Sequence, residues 1–170
     1  MVTKRIRVDW EKCTGCKRCM LICSAFKEGL FQPGRARIHV VSFPREGVSF
    51  PLICYQCENA PCLEVCPVEA LKRGRDGIIL LNANLCTGCR VCEESCPFGM
   101  IEILDDKAVK CDLCGGTPKC VEVCEPKALQ VTDIVPTTSE FWEIKGKEES
   151  AQRKREERWK KIFLKLQGVL

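Results

Sequence analysis

The chain has 170 residues and a formal charge of +4, and 16 of its residues are cysteine. Its hydrophobic fraction of 45% counts those cysteines and aromatics are only 6%, which excludes a fold held by one large apolar core and points to metal–thiolate bonds instead. No run approaches the roughly 18 apolar residues of a membrane span, and Met1 to Trp10 has neither an apolar signal segment nor a twin-arginine pair, so the expected location is the cytoplasm, where thiols stay reduced and a disulfide scaffold is disfavoured.

Thr3 to Val8 alternates weakly and predicts an edge strand that opens the domain. The first cysteine group follows as Cys13, Cys16, Cys19 and Cys23, within CTGCKRCMLIC, with the spacing C-x2-C-x2-C-x3-C. Arg37 to Val41 and Val48 to Ile53 are short β-rich runs around the turn residues Pro44, Arg45, Glu46 and Gly47, which predicts a hairpin. The second group is Cys54, Cys57, Cys62 and Cys66, within CYQCENAPCLEVCP; two extra residues widen its middle gap and Pro67 follows. Ile78 to Leu81 follows the turn Arg75-Asp76-Gly77 and reads as a strand.

The third group, Cys86, Cys89, Cys92 and Cys96, repeats the spacing of the first and ends in Pro97. Ile101 to Leu104 and Ala108-Val109 flank Asp105-Asp106-Lys107, a second hairpin signal. The fourth group is Cys111, Cys114, Cys120 and Cys124, within CDLCGGTPKCVEVCEP; its middle gap is wider again, and Glu125 stands where a proline would follow, with Pro126 next. Beyond Asp133 the composition changes. Pro136, Thr137, Thr138 and Ser139 read as a linker, and Ser150 to Gln167 predicts a helix with favourable i,i+4 pairs such as Glu156–Lys160. Its apolar stripe of Trp159, Ile162, Phe163 and Leu166 suits three uses: packing on its own domain, gripping a partner or second copy, or lying on a membrane surface.

The cysteine spacing carries the chemistry. A cubane needs thiolates at four corners, and C-x2-C-x2-C wraps the backbone around three of them while aiming N–H groups at the sulfurs. The fourth cysteine sits on the chain leading away and points to a neighbouring cluster, as in two-cluster ferredoxins. Gly15 and Gly88 provide the conformational freedom such loops need. A zinc reading uses two CxxC pairs per ion and leaves the remaining spacing unexplained. Four [4Fe–4S] clusters are therefore expected. An oxidised core of 2+ held by four thiolates contributes −2 per site, so four sites take the formal +4 to about −4, and the basic composition is no sign of nucleic-acid binding.

The order of narrow and wide groups repeats once. The expected fold is α+β: two fused two-cluster ferredoxin-like units over residues 1–135, then a linker and charged helical extension over residues 136–170. His39, in a predicted strand, reads as structural. Lys17, Arg18 and Arg90 read as solvated charges. No dinucleotide loop, P-loop or catalytic triad is present, so the chain is expected to be non-catalytic by itself.

The runs CYQCENAPCLEVCPVEAL, CTGCRVCEESCPFG and KCDLCGGTPKCVEVC resemble the four-cluster iron–sulfur subunits of molybdenum and tungsten oxidoreductases, over about residues 4–133. That family includes the electron-transfer subunits of dimethyl sulfoxide reductase and formate dehydrogenase, and others serving carbon monoxide dehydrogenase and hydrogenase complexes. The compact fourth group, with only Gly115 to Lys119 between Cys114 and Cys120, is more similar to subunits serving carbon monoxide dehydrogenase, tungsten aldehyde oxidoreductase and benzoyl-CoA-reducing systems. The resemblance implies interleaved ligands: Cys13, Cys16 and Cys19 with Cys124 (cluster 1); Cys54, Cys57 and Cys62 with Cys96 (cluster 2); Cys86, Cys89 and Cys92 with Cys66 (cluster 3); and Cys111, Cys114 and Cys120 with Cys23 (cluster 4).

It also implies a role relaying single electrons. One end would face a catalytic subunit carrying a tungsten or molybdenum pterin. The other would face a ferredoxin, a flavin subunit or a further copy of the chain. Alternatives are a free-standing polyferredoxin shuttle, or service to a carbon monoxide dehydrogenase or hydrogenase complex. A nucleic-acid-binding iron–sulfur protein would need a larger catalytic domain, for which the cysteine framework leaves no room.

Overall fold

A computed structural model describes residues 3–45 and 47–134. Four antiparallel two-stranded ribbons frame the cysteine loops. The first strand, β1 (Thr3–Val8), pairs with the last, β8 (Leu129–Ile134), in the register Ile6↔Val131. The chain thus returns to its start, which brings the fourth cysteine group beside the first. The other ribbons are local: β2 (Ile38–Phe43) with β3 (Val48–Ile53), β4 (Leu71–Arg73) with β5 (Ile79–Leu81), and β6 (Ile101–Leu104) with β7 (Lys107–Lys110). The two expected hairpins and the opening strand form with small boundary shifts. Strands β4 and β8 go beyond what the local pattern predicts. The predicted helix Ser150 to Gln167 lies outside the described residues.

A short helix follows the loop of each cysteine group. The longest, α1 (Arg18–Glu28), places Cys19 and Cys23 one turn apart on a single buried face. It stops at Gly29, whose φ of +72° and N–H bond to the Ala25 carbonyl (3.0 Å) make a left-handed C-cap. The others, α2 (Pro61–Glu64), α3 (Val91–Ser95) and α4 (Lys119–Glu122), are about one turn each. Pro61 occupies the first position of α2, where its missing N–H costs nothing. Among the described residues no helix is long and apolar enough to cross a membrane.

Two small cores hold the elements. One gathers Ile6, Ile38, Val40, Ile53, Leu113 and Leu129 around Cys19, Cys23, Cys54, Cys111 and Cys120. The other gathers Leu71, Ile79, Ile101 and three alanines around Cys62, Cys86 and Cys92. Ile38, Ile79, Leu113 and Leu129 are fully buried and contribute about 1.5–3 kcal/mol each. Cysteine sulfur makes up much of the remaining interior, in keeping with the scarcity of large apolar residues.

Candidate metal centres

Each CxxC loop needs a left-handed residue just before its second cysteine. Gly15 and Gly88 fill that position in the first and third groups, with φ of +70° and +71°. Gln56 and Leu113 fill it in the second and fourth, at +51° and +53°, a conformation that disfavours side chains and is held by surrounding contacts. Gln56 shows how. Its amide nitrogen donates to the Cys111 carbonyl (2.8 Å) and its amide oxygen accepts from Ile79 N–H (2.9 Å).

The exit from three groups is also repeated. The carbonyls of Cys66, Cys96 and Cys124 accept from Glu69, Gly99 and Lys127 N–H at 3.2, 3.1 and 3.1 Å, and all three donors have positive φ. Glu125 leaves this turn intact, because the donor lies three residues beyond the cysteine and Pro126 helps restrict the chain. The turn redirects the chain immediately after each of these fourth cysteines.

The thiols come together across groups. Cys19 has Cys16, Cys13 and Cys124 as its thiol neighbours, and burial, reinforced by them, pushes its pKa up to about 12. Cys57 is pushed up to about 11 by burial and then by Cys54, Cys96 and Cys62. Cys92 reaches about 11 through burial and then Cys86, Cys66 and Cys89. Burial also raises Cys120, with Cys111, Cys23 and Cys114 adding to it. So Cys124, Cys96, Cys66 and Cys23 each stand with three thiols of another group. A bound metal core of opposite charge is what would favour thiolates where burial raises the thiol.

Two of the sets line hollows. Cys66, Cys86, Cys89 and Cys92 border one with Leu71, Leu81 and Ala108. Cys23, Cys111, Cys114 and Cys120 border one with Ile38, Ile53 and Pro118. Among the described residues no three His, Cys, Asp or Glu side chains converge as a single metal ion would require. Tetrahedral zinc would bring thiolate sulfurs to about 3.8 Å of one another. Four thiols per set is the donor chemistry of an iron–sulfur core.

Backbone N–H groups point at the sulfurs. Arg37 donates to Cys23 Sγ (3.2 Å), Ala70 to Cys66 (3.3 Å), and Met100, Ala108 and Leu113 to Cys96, Cys86 and Cys111 (each 3.4 Å). Such bonds favour thiolate and the reduced state of a bound cluster. Of the sixteen cysteines only Cys16 and Cys89 are exposed.

Side chains brace the loops from outside. Arg73 donates to the carbonyls of Cys57 (2.6 Å), Glu58 (2.8 Å) and Gly77 (2.7 Å), pinning the second loop. Asp112 accepts Cys114 N–H (3.0 Å) and pairs with Lys27 (2.6 Å), tying the fourth loop to α1. His39 faces Glu102 at 3.4 Å, and Arg18 and Arg90 pair with Glu125 and Glu93. Trp10 stacks on Phe50, with ring centroids 4.9 Å apart. Gln56, Arg73, Lys110 and Asp112 escape sequence reasoning. Only the position of Gln56, where the narrow first and third loops have glycine, gave a signal.

Thiol sets in interleaved loops, framed by short ribbons and helices, define a ferredoxin-like iron–sulfur protein. The chain belongs to the 4Fe-4S dicluster domain family, whose model matches residues 46–134. Among its relatives, the uncharacterized ferredoxin MJ0265 of Methanocaldococcus jannaschii is 38% identical, over 79% of this chain and 75% of that protein. The polyferredoxin-like subunit of the aliphatic sulfonate oxidoreductase of Pyrococcus furiosus is 39% identical over 76% of each chain. A chain of the active-site complex BamBC of benzoyl coenzyme A reductase aligns with a TM-score of 0.48 at 27% identity, covering 86% of this chain and 89% of that one. The protein is thus an iron–sulfur electron carrier of the ferredoxin type, with homologues in oxidoreductase complexes.

Proposed function

We propose that the chain is the electron-transfer subunit of an oxidoreductase complex in the cytoplasm and holds four [4Fe–4S] clusters in two fused ferredoxin-like units spanning residues 1–135. The observation that carries this is the interleaving of the thiols. Cys13, Cys16, Cys19 and Cys124 would hold one cluster; Cys54, Cys57, Cys62 and Cys96 a second; Cys86, Cys89, Cys92 and Cys66 a third; and Cys111, Cys114, Cys120 and Cys23 a fourth. Bound cubes of this type each supply one-electron chemistry, cycling between 2+ and 1+.

The protein's own residues set spacing and access. Cys120 of the fourth set neighbours Cys19 of the first, and Cys111 neighbours Cys54 of the second. The second and third sets share one core, where α2 packs on α3. The sets therefore adjoin in the order first, fourth, second, third. The two exposed thiols, Cys16 and Cys89, belong to the two outermost sets, so both ends of the series open to solvent. This arrangement suits relay between two docked partners. One is a catalytic subunit, with a tungsten or molybdenum pterin as the leading candidate from the family resemblance. The other is a ferredoxin, a flavin subunit or a further copy of the chain.

The test is C16S in the complex co-purified with its large subunit. Electron transfer to the physiological acceptor should fall while dye-linked activity of the large subunit is retained. Equal loss of both activities would refute the relay role. A chain that purifies alone from its native host would favour the shuttle instead.

A further inference from the structure

Lys110 breaks the pattern of its strand. Along β7, Lys107 is exposed and Val109 partly buried, while Ala108 and Lys110 face the core. Lys110 is 6% exposed. Its Nζ donates to the carbonyls of Ile79 (2.7 Å) and Cys111 (2.6 Å). Among the described residues no ion pair involves it. A buried ammonium that bonds only to carbonyls is costly unless some other negative charge stands nearby.

The surrounding structure builds this position deliberately. In the β4–β5 ribbon Ile79 opposes Arg73, and the Gly74 N–H to Ile78 carbonyl bond (2.8 Å) lies one residue before it. Ile79 therefore sits at a non-hydrogen-bonded pair, and its own N–H and carbonyl face away from β4. Gln56, 2% exposed, takes the N–H and Lys110 takes the carbonyl. The two side chains then share the Cys111 carbonyl, occupying both of its lone pairs. The node joins the second cysteine loop, the fourth loop and the β4–β5 ribbon. The charge of Lys110 acts on Cys62 of the second set and on Cys111 of the fourth, in both cases against the upward push of burial.

We propose that Lys110 is a fixed counter-charge between the second and fourth thiol sets, raising the reduction potentials of the two clusters they hold and so easing the central hop of the relay. The inference rests on the four-cluster reading. Each cluster with its four thiolates is negative, and taking up one electron makes it more so. A nearby buried cation favours that step, and the dry surroundings keep its field unscreened. Lys107 is the natural contrast. Its Nζ also donates to a ligand carbonyl, that of Cys86 at 2.6 Å, but the residue is exposed and water and salt screen its charge.

The test is an EPR-monitored redox titration of the anaerobically purified full chain, comparing wild type with K110Q, K110M, K110R and K107M. K110Q removes the charge while keeping an N–H donor on a shorter side chain, and K110R keeps the charge on an altered shape, so the two together decide the outcome if K110M fails to fold. Wild type should show four one-electron couples. In K110Q two of them should become harder to reduce by about tenfold or more, a shift of about 59 mV per tenfold for a one-electron couple. The other two should stay within about twofold, K110R should restore the wild-type values, and K107M should leave all four nearly unmoved. Unchanged couples in K110Q, a uniform shift of all four, or K110R behaving like K110Q would each overturn the role of Lys110. Fewer than four couples in the wild type would instead overturn the four-cluster reading on which it rests.

Discussion

Alanine at three left-handed glycines separates backbone strain from collision. Gly99, Gly15 and Gly88 have φ of +61°, +70° and +71°, so each variant carries a left-handed cost of about 1–2 kcal/mol. They differ in what the new Cβ meets. At Gly99 it meets open space, and strain is the whole effect. At Gly15 it collides with Ser49 Oγ. Rotation of that side chain removes the worst contact at the loss of its bond to Ser42 Oγ (3.0 Å), about 1 kcal/mol more, and leaves only the milder approaches to Ser42 Oγ and Ser49 Cβ. At Gly88 the Cβ would lie 2.6 Å from the Asp106 carbonyl oxygen and 3.0 Å from its carbon. That is backbone in the β6–β7 turn, which has no rotamer to escape into, and overpacking of this kind adds about 1–3 kcal/mol. The predicted order of damage is G99A, then G15A, then G88A, with G88A totalling about 2–5 kcal/mol. Because Gly88 lies within the loop of Cys86, Cys89 and Cys92, the loss should concentrate at that site. Iron content and the rate of bleaching in chelator should show G99A close to wild type and G88A short by about four irons. If G88A keeps its iron and bleaches as slowly as G99A, the close approach of loop and hairpin is wrong.

Ligand pairing is testable by deletion: C124S should abolish the same EPR signal as C16S, whereas C23S should abolish a different one, shared with C114S. R73M removes three charge-assisted bonds and should destabilise the second loop by about 2 kcal/mol or more; bleaching should begin there, and R73K should recover only part of the loss because it lacks the planar fork. D112A should cost about 1–2 kcal/mol by freeing Cys114 N–H and unpairing Lys27, read as a lower temperature of cluster loss. Glu28 is held below the usual carboxylate range by Arg37, 2.5 Å away, with Arg35 adding to it. A lowered pKa in the fold means stabilisation that is present above the ordinary value of 4.5 and lost as the pH falls through the folded value. E28Q should therefore be less stable than wild type by about 1 kcal/mol at pH 7, with the gap closing as the pH falls below 4.5; a gap that persists in acid would show the pair contributes nothing through its charge.

Sequence legibility tracked how local the cause was. The cysteine groups stand out because cluster geometry imposes fixed spacing within a few residues, and the hairpins because Pro44 to Gly47 and Asp105-Asp106 are turn chemistry between β-rich runs. Strand β4 is three residues long and leaves no period to detect. Strand β8 exists through its pairing with β1 at the far end of the chain, a contact without a local signature. Lys110 and Gln56 are polar residues in a strand and a loop, where exposure is the ordinary reading; tertiary packing alone buries them. Glu125 stands where the second and third groups have proline, yet the turn depends on the Lys127 N–H, to which Glu125 is indifferent.

The most direct measurement is iron and acid-labile sulfide per chain in protein purified and reconstituted without oxygen. Four cubanes predict about sixteen of each. Zinc bound in place of iron, or a colourless chain that stays free of iron and sulfide after reconstitution, would contradict the assignment of these thiols.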